Sequence, residues 1–218
     1  MDQPAPPRRR VYLIDDDADV RKSLHFLLGV SSITAWPFAE SADFLDQLDE
    51  LPPAPILLDI RMPRIDGLQM LALLKEREIT WPVIMMTAHG DIAVAVRAMK
   101  LGAIEFLEKP FEPDLLEQAL DQAYGVLGRI ERTVQSRRRA RQLLGQLSRR
   151  ESEVLTILME GVPNKIAAHR LDLSPRTVEM HRGNALAKLG LKSIAEAVAL
   201  VTAADLGGHP LGWGVGEI

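Results

Sequence analysis

The sequence predicts a doubly wound α/β domain built on a five-stranded parallel sheet, followed by a small all-α domain. Three observations carry this. Over residues 1–124, five short β-branched and aliphatic runs alternate with amphipathic stretches; beyond them strand signals stop; and the charge changes sign at the same place. Residues 1–124 hold 21 acidic against 12 basic side chains, and residues 125–218 hold 9 against 14. The net charge of −4 therefore conceals an acidic half and a basic half, and only the second could approach a polyanion without repulsion.

Taken in order, strands are predicted at 11–15, 33–37, 56–59, 83–87 and 104–107, with helices starting near Ala18, Ser41, Gly67, Asp91 and Glu112. Residues 1–10, with prolines and arginines, read as a disordered arm, and residues 11–124 as the α/β domain. Residues 125–147 turn to arginine, glutamine and small residues and form a linker. The linker is predicted helical, because Leu116, Leu120, Ala123, Leu127, Ile130 and Val134 recur at spacings of 3 and 4. That stripe serves either packing on the sheet or a coiled-coil seam between two chains. Gly125 and Gly128 weigh against the helix by about 1 kcal/mol each relative to alanine.

Residues 148–204 carry only helical signals. Ser148 and Glu151 stand in capping-box spacing, and Gly161 with Pro163 separates a first helix from a second. Ser174 and Pro175 open a third, Gly190 closes it, and a fourth bears the apolar stripe Ile194, Ala197, Val198 and Val201. Residues 205–218 are glycine-rich and read as a flexible tail.

Composition removes several function classes. With 47% hydrophobic residues the chain can fill two small cores. No apolar run reaches the roughly 18 residues of a membrane helix, and the first residues lack the hydrophobic stretch of a signal peptide, so a cytoplasmic protein is expected. Without cysteine there is no thiol nucleophile, disulfide or cysteine-ligated zinc.

The chemistry gathers at the predicted carboxyl ends of the strands, where open α/β sheets bind ligands. Asp15, Asp16 and Asp17 follow the first strand, Asp59 ends the third, Thr87 ends the fourth, and Lys109 lies just past the fifth. Singly, Asp17 reads as a helix cap, Asp59 as a turn residue and Lys109 as a surface charge. Together they predict a pocket in which crowded carboxylates require a hard cation such as Mg²⁺. A lysine and a hydroxyl complete an anion site suited to phosphoryl transfer, with a carboxylate as nucleophile. A Mg²⁺-dependent phosphatase with an aspartyl nucleophile would use the same set, but needs a second acid two residues on, where this chain has Arg61.

The segments YLIDDDADVRKSL, LLDIRMPRIDG, PVIMMTAHGD and GAIEFLEKPF resemble the receiver domain of two-component response regulators, a flavodoxin-like fold. The resemblance implies that a sensor histidine kinase phosphorylates Asp59. It implies that Asp16, Asp59 and the backbone carbonyl of Arg61 bind Mg²⁺ directly, with Asp15 acting through water. Thr87 and Phe106 become the switch pair, Lys109 pairs with the phosphoryl group, and the Lys109–Pro110 peptide is cis. The resemblance further implies slow autodephosphorylation and no other enzymatic activity. His89, two residues past Thr87, reads either as an influence on phosphoryl loss or as an inert turn residue.

In the basic half, the helix over 174–189 buries Val178, Ala185, Leu186 and Leu189 and leaves Arg176, Glu179, Met180, Arg182 and Gly183 outward, which suits entry into a major groove. Lys165, Arg176 and Thr177 are candidates for phosphate contacts, Glu179, Met180 and Arg182 for base edges, and His181 for either. No aromatic platform for single-stranded RNA is present. The run LSRRESEVLTILMEGVPNKIAAHRLDLSPRTVEMHRGNALAKLGLKSIAEAVAL resembles the LuxR-type helix-turn-helix, and with the receiver it is similar to FixJ/NarL-type response regulators. The implied function is transcription regulation through double-stranded DNA. The implied homodimer forms on phosphorylation or through the linker helix, with Ile194, Ala197, Val198 and Val201 as its dimerisation residues. A phosphorylation-controlled protein adaptor and an orphan regulator working without phosphate are the alternatives.

Overall fold

The computed structural model describes residues 9–88 and 90–204. Five strands, β1 (Arg9–Ile14), β2 (Ile33–Phe38), β3 (Ile56–Asp59), β4 (Val83–Thr87) and β5 (Glu105–Glu108), form one parallel sheet in the order β2-β1-β3-β4-β5. Helices α1 (Ala18–Val30), α2 (Ser41–Gln47), α3 (Gly67–Glu76) and α4 (Ile92–Leu101) alternate with the strands, and α5 (Pro113–Leu144) follows the last. Side-chain alternation divides the core between the two faces. Tyr12, Ile14, Ile56, Leu58, Val83 and Met85 pack in one cluster with residues of α2, α3 and α4, while Val11, Leu13, Leu57, Ile84, Met86 and Leu107 pack in another with residues of α1 and α5. Burial on both faces is why the strands read as continuous apolar runs rather than alternating ones.

Strands β3 and β4 lie as the sequence predicts, whereas β1 begins at Arg9 and β5 at Glu105. Arg9 and Arg10 therefore belong to the sheet and not to a disordered arm. Their backbones pair with Ile33 and Thr34. Arg9 bridges to Asp121 at 2.6 Å and lies over the Tyr124 ring, while Arg10 lies over Trp36. Cationic groups laid on aromatic rings thus accompany the start of the strand, which a hydrophobic pattern does not register. Residues 1–8, His89 and the tail 205–218 lie outside the described residues.

Helix α5 continues through Gly125 and Gly128 for 32 residues. The chain divides into two compact units between Ile130 and Glu131, within this helix and six residues beyond the sequence-based boundary at 124. The apolar stripe divides too. Leu116, Leu120 and Ala123 are core residues of the sheet domain, Leu127 is buried, and Val134 is 56% exposed.

In the second unit, Ala140 and Leu144 of α5 join α6 (Arg149–Met159), α7 (Asn164–Leu171), α8 (Pro175–Leu189) and α9 (Ile194–Ala204). The punctuation acts as read. The Ser148–Glu151 capping box is complete, Ser174 caps α8 with Pro175 in its first turn, and Gly190 ends it at φ +68°. No helix among the described residues is long and apolar enough to cross a membrane.

Candidate phosphoacceptor site and DNA-binding face

The strand ends bring Asp15, Asp59, Thr87 and Lys109 to one edge of the sheet. Lys109 Nζ donates to Asp15 Oδ2 at 2.6 Å and to Asp59 Oδ1 at 2.5 Å. Asp15 and Asp59 are 1% and 6% exposed, so this lysine is the counter-ion of two carboxylates taken out of water. The remaining oxygens also have donors: Asp17 N–H to Asp15 Oδ1 at 2.9 Å, and Arg61 N–H to Asp59 Oδ2 at 2.6 Å. Thr87 is buried, and its carbonyl accepts the Lys109 N–H. The Lys109–Pro110 peptide is cis.

Local sequence explains the placement. A Cβ on Gly67 would stand 2.2 Å from the Asp59 carbonyl oxygen, so only glycine lets the start of α3 press against the end of β3. Asp66 caps α3 in a full capping box with Gln69, and Asp17 caps α1 through Asp19 and Val20 N–H. Burial raises the Asp59 carboxyl above its ordinary range, aided by the Asp15 charge and opposed by Lys109 and Arg61. Lys109 is shifted upward: burial works against its charge, but its hydrogen bonds to Asp15 and Asp59 outweigh it.

Asp16 is exposed, apart from the buried pair. Among the described residues no group of three or more acidic or histidine side chains stands ready to hold a metal. The donor set nonetheless suits Mg²⁺, which takes one or two carboxylates and fills its other positions with water and phosphate oxygens. Two carboxylates share one lysine charge, and each of their oxygens keeps a second lone pair. Phe106 is half-buried against the cluster that contains Met85.

Sequence reading missed two contacts here. Arg21 Nη1 donates to the Asp15 carbonyl at 2.5 Å, and Gly90 N–H donates to Glu108 Oε1 at 2.9 Å. Arg21 stands one helical turn after the cap Asp17, which is the one signal that could have found it. Glu108 reads as an ordinary exposed strand end.

In the second unit α8 buries Val178, Ala185, Leu186 and Leu189 and exposes Arg176, Glu179 and Met180, with Thr177, His181 and Arg182 half-buried. Lys165 is exposed on α7. Thr177 is tied to the cap: its N–H donates to Ser174 Oγ at 3.1 Å, and its Oγ1 lies 2.8 Å from the same oxygen. Glu151, read only as a capping residue, also receives Lys188 Nζ at 2.7 Å and so links α6 to α8.

The stripe on α9 needs correction. Ala197 is wholly buried and Ile194 and Val201 pack against the core of the unit, so only Val198, 41% exposed, faces outward among the four residues assigned to dimerisation. The 3-and-4 spacing marks the buried face of a helix whatever it is buried against, and here most of it is buried by its own domain.

Comparison with known proteins agrees with both halves. Residues 11–121 match the response regulator receiver domain, and residues 145–201 match the LuxR family of bacterial regulatory proteins. The chain belongs to the response regulators that join a receiver to a LuxR-type DNA-binding domain, and it is a transcription regulator of the two-component class. It is 39% identical to the transcriptional regulatory protein FixJ of Bradyrhizobium diazoefficiens over 199 residues, covering 90% of this chain and 96% of that one. Among solved structures it is similar to the response regulator StyR, with a TM-score of 0.79 at 35% identity over 90% of this chain and 99% of that one. Full-length FixJ from B. japonicum gives a TM-score of 0.58 at 37% identity, covering 92% and 99%.

Proposed function

We propose that Asp59 is the phosphoacceptor and that its phosphorylation by a sensor histidine kinase governs DNA binding by α8. The observation that carries this reading is the bridge from Lys109 to both Asp15 and Asp59 at the strand ends. A carboxylate oxygen of Asp59 attacks the phosphorus of a phosphohistidine, the P–N bond breaks, its electron pair stays on the imidazole nitrogen, and an acyl phosphate forms on Asp59. Mg²⁺ held by Asp16, Asp59 and the Arg61 carbonyl, with Asp15 acting through water, would supply positive charge to the phosphoryl oxygens. Lys109 leaves Asp59 for a phosphoryl oxygen while keeping Asp15. The added charge of roughly −1.5 to −2 draws the Thr87 hydroxyl inward, and Phe106 follows, shifting an existing equilibrium in α4 and β5.

Lys165, Arg176 and Thr177 hold the DNA backbone, while Glu179, Met180, His181 and Arg182 face base edges. The receiver takes in β1 from Arg9 and α5 as far as Ile130, and the DNA-binding unit follows from Glu131 and includes the end of α5. The protein works in the cytoplasm, its only catalysis being its own phosphoryl transfer and slow phosphoryl loss, and phosphorylation creates a homodimer.

The test compares wild type and Asp59→Asn, each treated with acetyl phosphate and Mg²⁺, by sedimentation and by footprinting on genomic DNA. Wild type is expected to gain one acid-stable, base-labile phosphoryl group, to dimerise and to occupy more sites. Equal occupancy by the variant, or a treated wild type that stays monomeric with unchanged DNA affinity, overturns the reading.

A further inference from the structure

The hydrogen bond between Glu108 and Gly90 ties the end of β5 to the loop between β4 and α4. A Cβ on Gly90 would stand 2.3 Å from Glu108 Oε2 and 2.7 Å from its Cδ, so the carboxylate occupies the place a side chain would take.

Both residues flank the switch. Glu108 is the cross-strand partner of Thr87 and directly precedes Lys109. Gly90 lies three residues after Thr87 and directly precedes Asp91, which caps α4 by accepting from Ala93 N–H at 2.8 Å. Thr87 is thus held by strand pairing, Asp91 by its role as helix cap, and Gly90 between them by Glu108. These three must shift if Thr87 is to follow a phosphoryl group.

We propose that Glu108 is a positioning residue that latches the β4–α4 loop in its unphosphorylated arrangement through the Gly90 N–H. This rests on the reading of Asp59 as phosphoacceptor. The bond is charge-assisted but exposed, so the latch biases the switch rather than locking it. Releasing it moves the equilibrium of the loop toward the arrangement in which Thr87 engages the phosphoryl group and shields it from water.

The experiment uses full-length protein phosphorylated with acetyl phosphate and Mg²⁺, and reads the phosphoryl lifetime and the melting temperature. Glu108→Ala is expected to lengthen the lifetime by roughly three- to fivefold, as loss of one modest interaction from a two-state equilibrium implies. Glu108→Gln, whose amide oxygen still accepts from Gly90 but without the charge, falls between wild type and Glu108→Ala. Gly90→Ala, which pushes the carboxylate away, matches Glu108→Ala, and the double variant exceeds neither, because both changes break one contact. Melting temperatures that stay together across the series exclude general damage to the fold.

A Glu108→Gln variant that behaves like Glu108→Ala would show a charge effect and overturn the latch, as would an additive double variant. If wild type is phosphorylated and all variants share its lifetime, the latch alone falls. If wild type takes no phosphoryl group on Asp59, the underlying reading falls with it.

Discussion

Replacing Asp59 by asparagine is expected to stabilise the receiver while abolishing phosphorylation. Asp15, Asp59 and Lys109 together hold two negative charges against one positive, and Asp59 is 6% exposed. Burial, with the Asp15 charge adding, raises the Asp59 carboxyl above its ordinary value of 3.8 despite Lys109 and the Arg61 N–H. An acid raised in the folded state holds its proton more tightly there than when unfolded. Its ionisation therefore weakens folding: the penalty is absent below 3.8, grows as pH rises, and is complete above the raised folded value. Asparagine keeps the shape, accepts from one of the two donors, and leaves Asp15 and Lys109 as a neutral pair. The gain should fall in the range of ordinary stabilising substitutions, about 1–2 kcal/mol. For a unit of this size that raises Tm by about 4–8 °C.

The assay is calorimetry of full-length wild type and variant from pH 4 to 8 without divalent ions, following the receiver transition. The gap between them should narrow toward acid. Mg²⁺ at ten times its Kd should stabilise wild type by about 1.4 kcal/mol and the variant by less, closing the gap at neutral pH. A variant no more stable than wild type at pH 7, or a gap that widens in acid, refutes the reasoning.

Three other perturbations test the same geometry. Lys109→Met strands two buried carboxylates and should cost the receiver about 3–5 kcal/mol in urea unfolding at pH 7, where an unchanged midpoint would count against the bridge. Because Lys109 is held above its ordinary 10.5, its contribution is complete below that pH and is lost as pH rises through the higher folded value, a loss the variant should not share. In the second unit, burial raises the Glu151 carboxyl, but hydrogen bonds from Lys188 and Ser148 outweigh it and hold it below 4.5. Its stabilisation is thus present above 4.5 and fades as pH falls through the lower folded value. Glu151→Gln should remove that acid dependence at a cost of about 1–2 kcal/mol, modest because Lys188 is 44% exposed. Arg176→Ala should weaken binding to all DNA sequences alike and lower the magnitude of the salt slope by about 1, whereas a change in sequence preference would move Arg176 from the backbone to the bases.

Much of this protein was legible in the chain because it depends on local rules. Period-3.6 patterning, together with Ser148, Ser174, Pro175 and Gly190 as helix punctuation, located the helices of the second unit and the buried face of α8. Placing Asp15, Asp59, Thr87 and Lys109 at strand ends was enough to predict that they meet, since parallel strands connected by helices present their carboxyl ends on one edge. Tertiary structure alone decided how they share charge: Lys109 takes both Asp15 and Asp59, while Asp16, adjacent to Asp15, stays in water. It alone decided that the sheet domain holds the early part of the α5 stripe, and that Ala197 is buried within its own unit. The reason is that periodicity records that a face is covered but not what covers it, and that hydrogen bonds such as Glu108 to Gly90 join residues 18 apart in sequence through a backbone group that no side-chain pattern encodes.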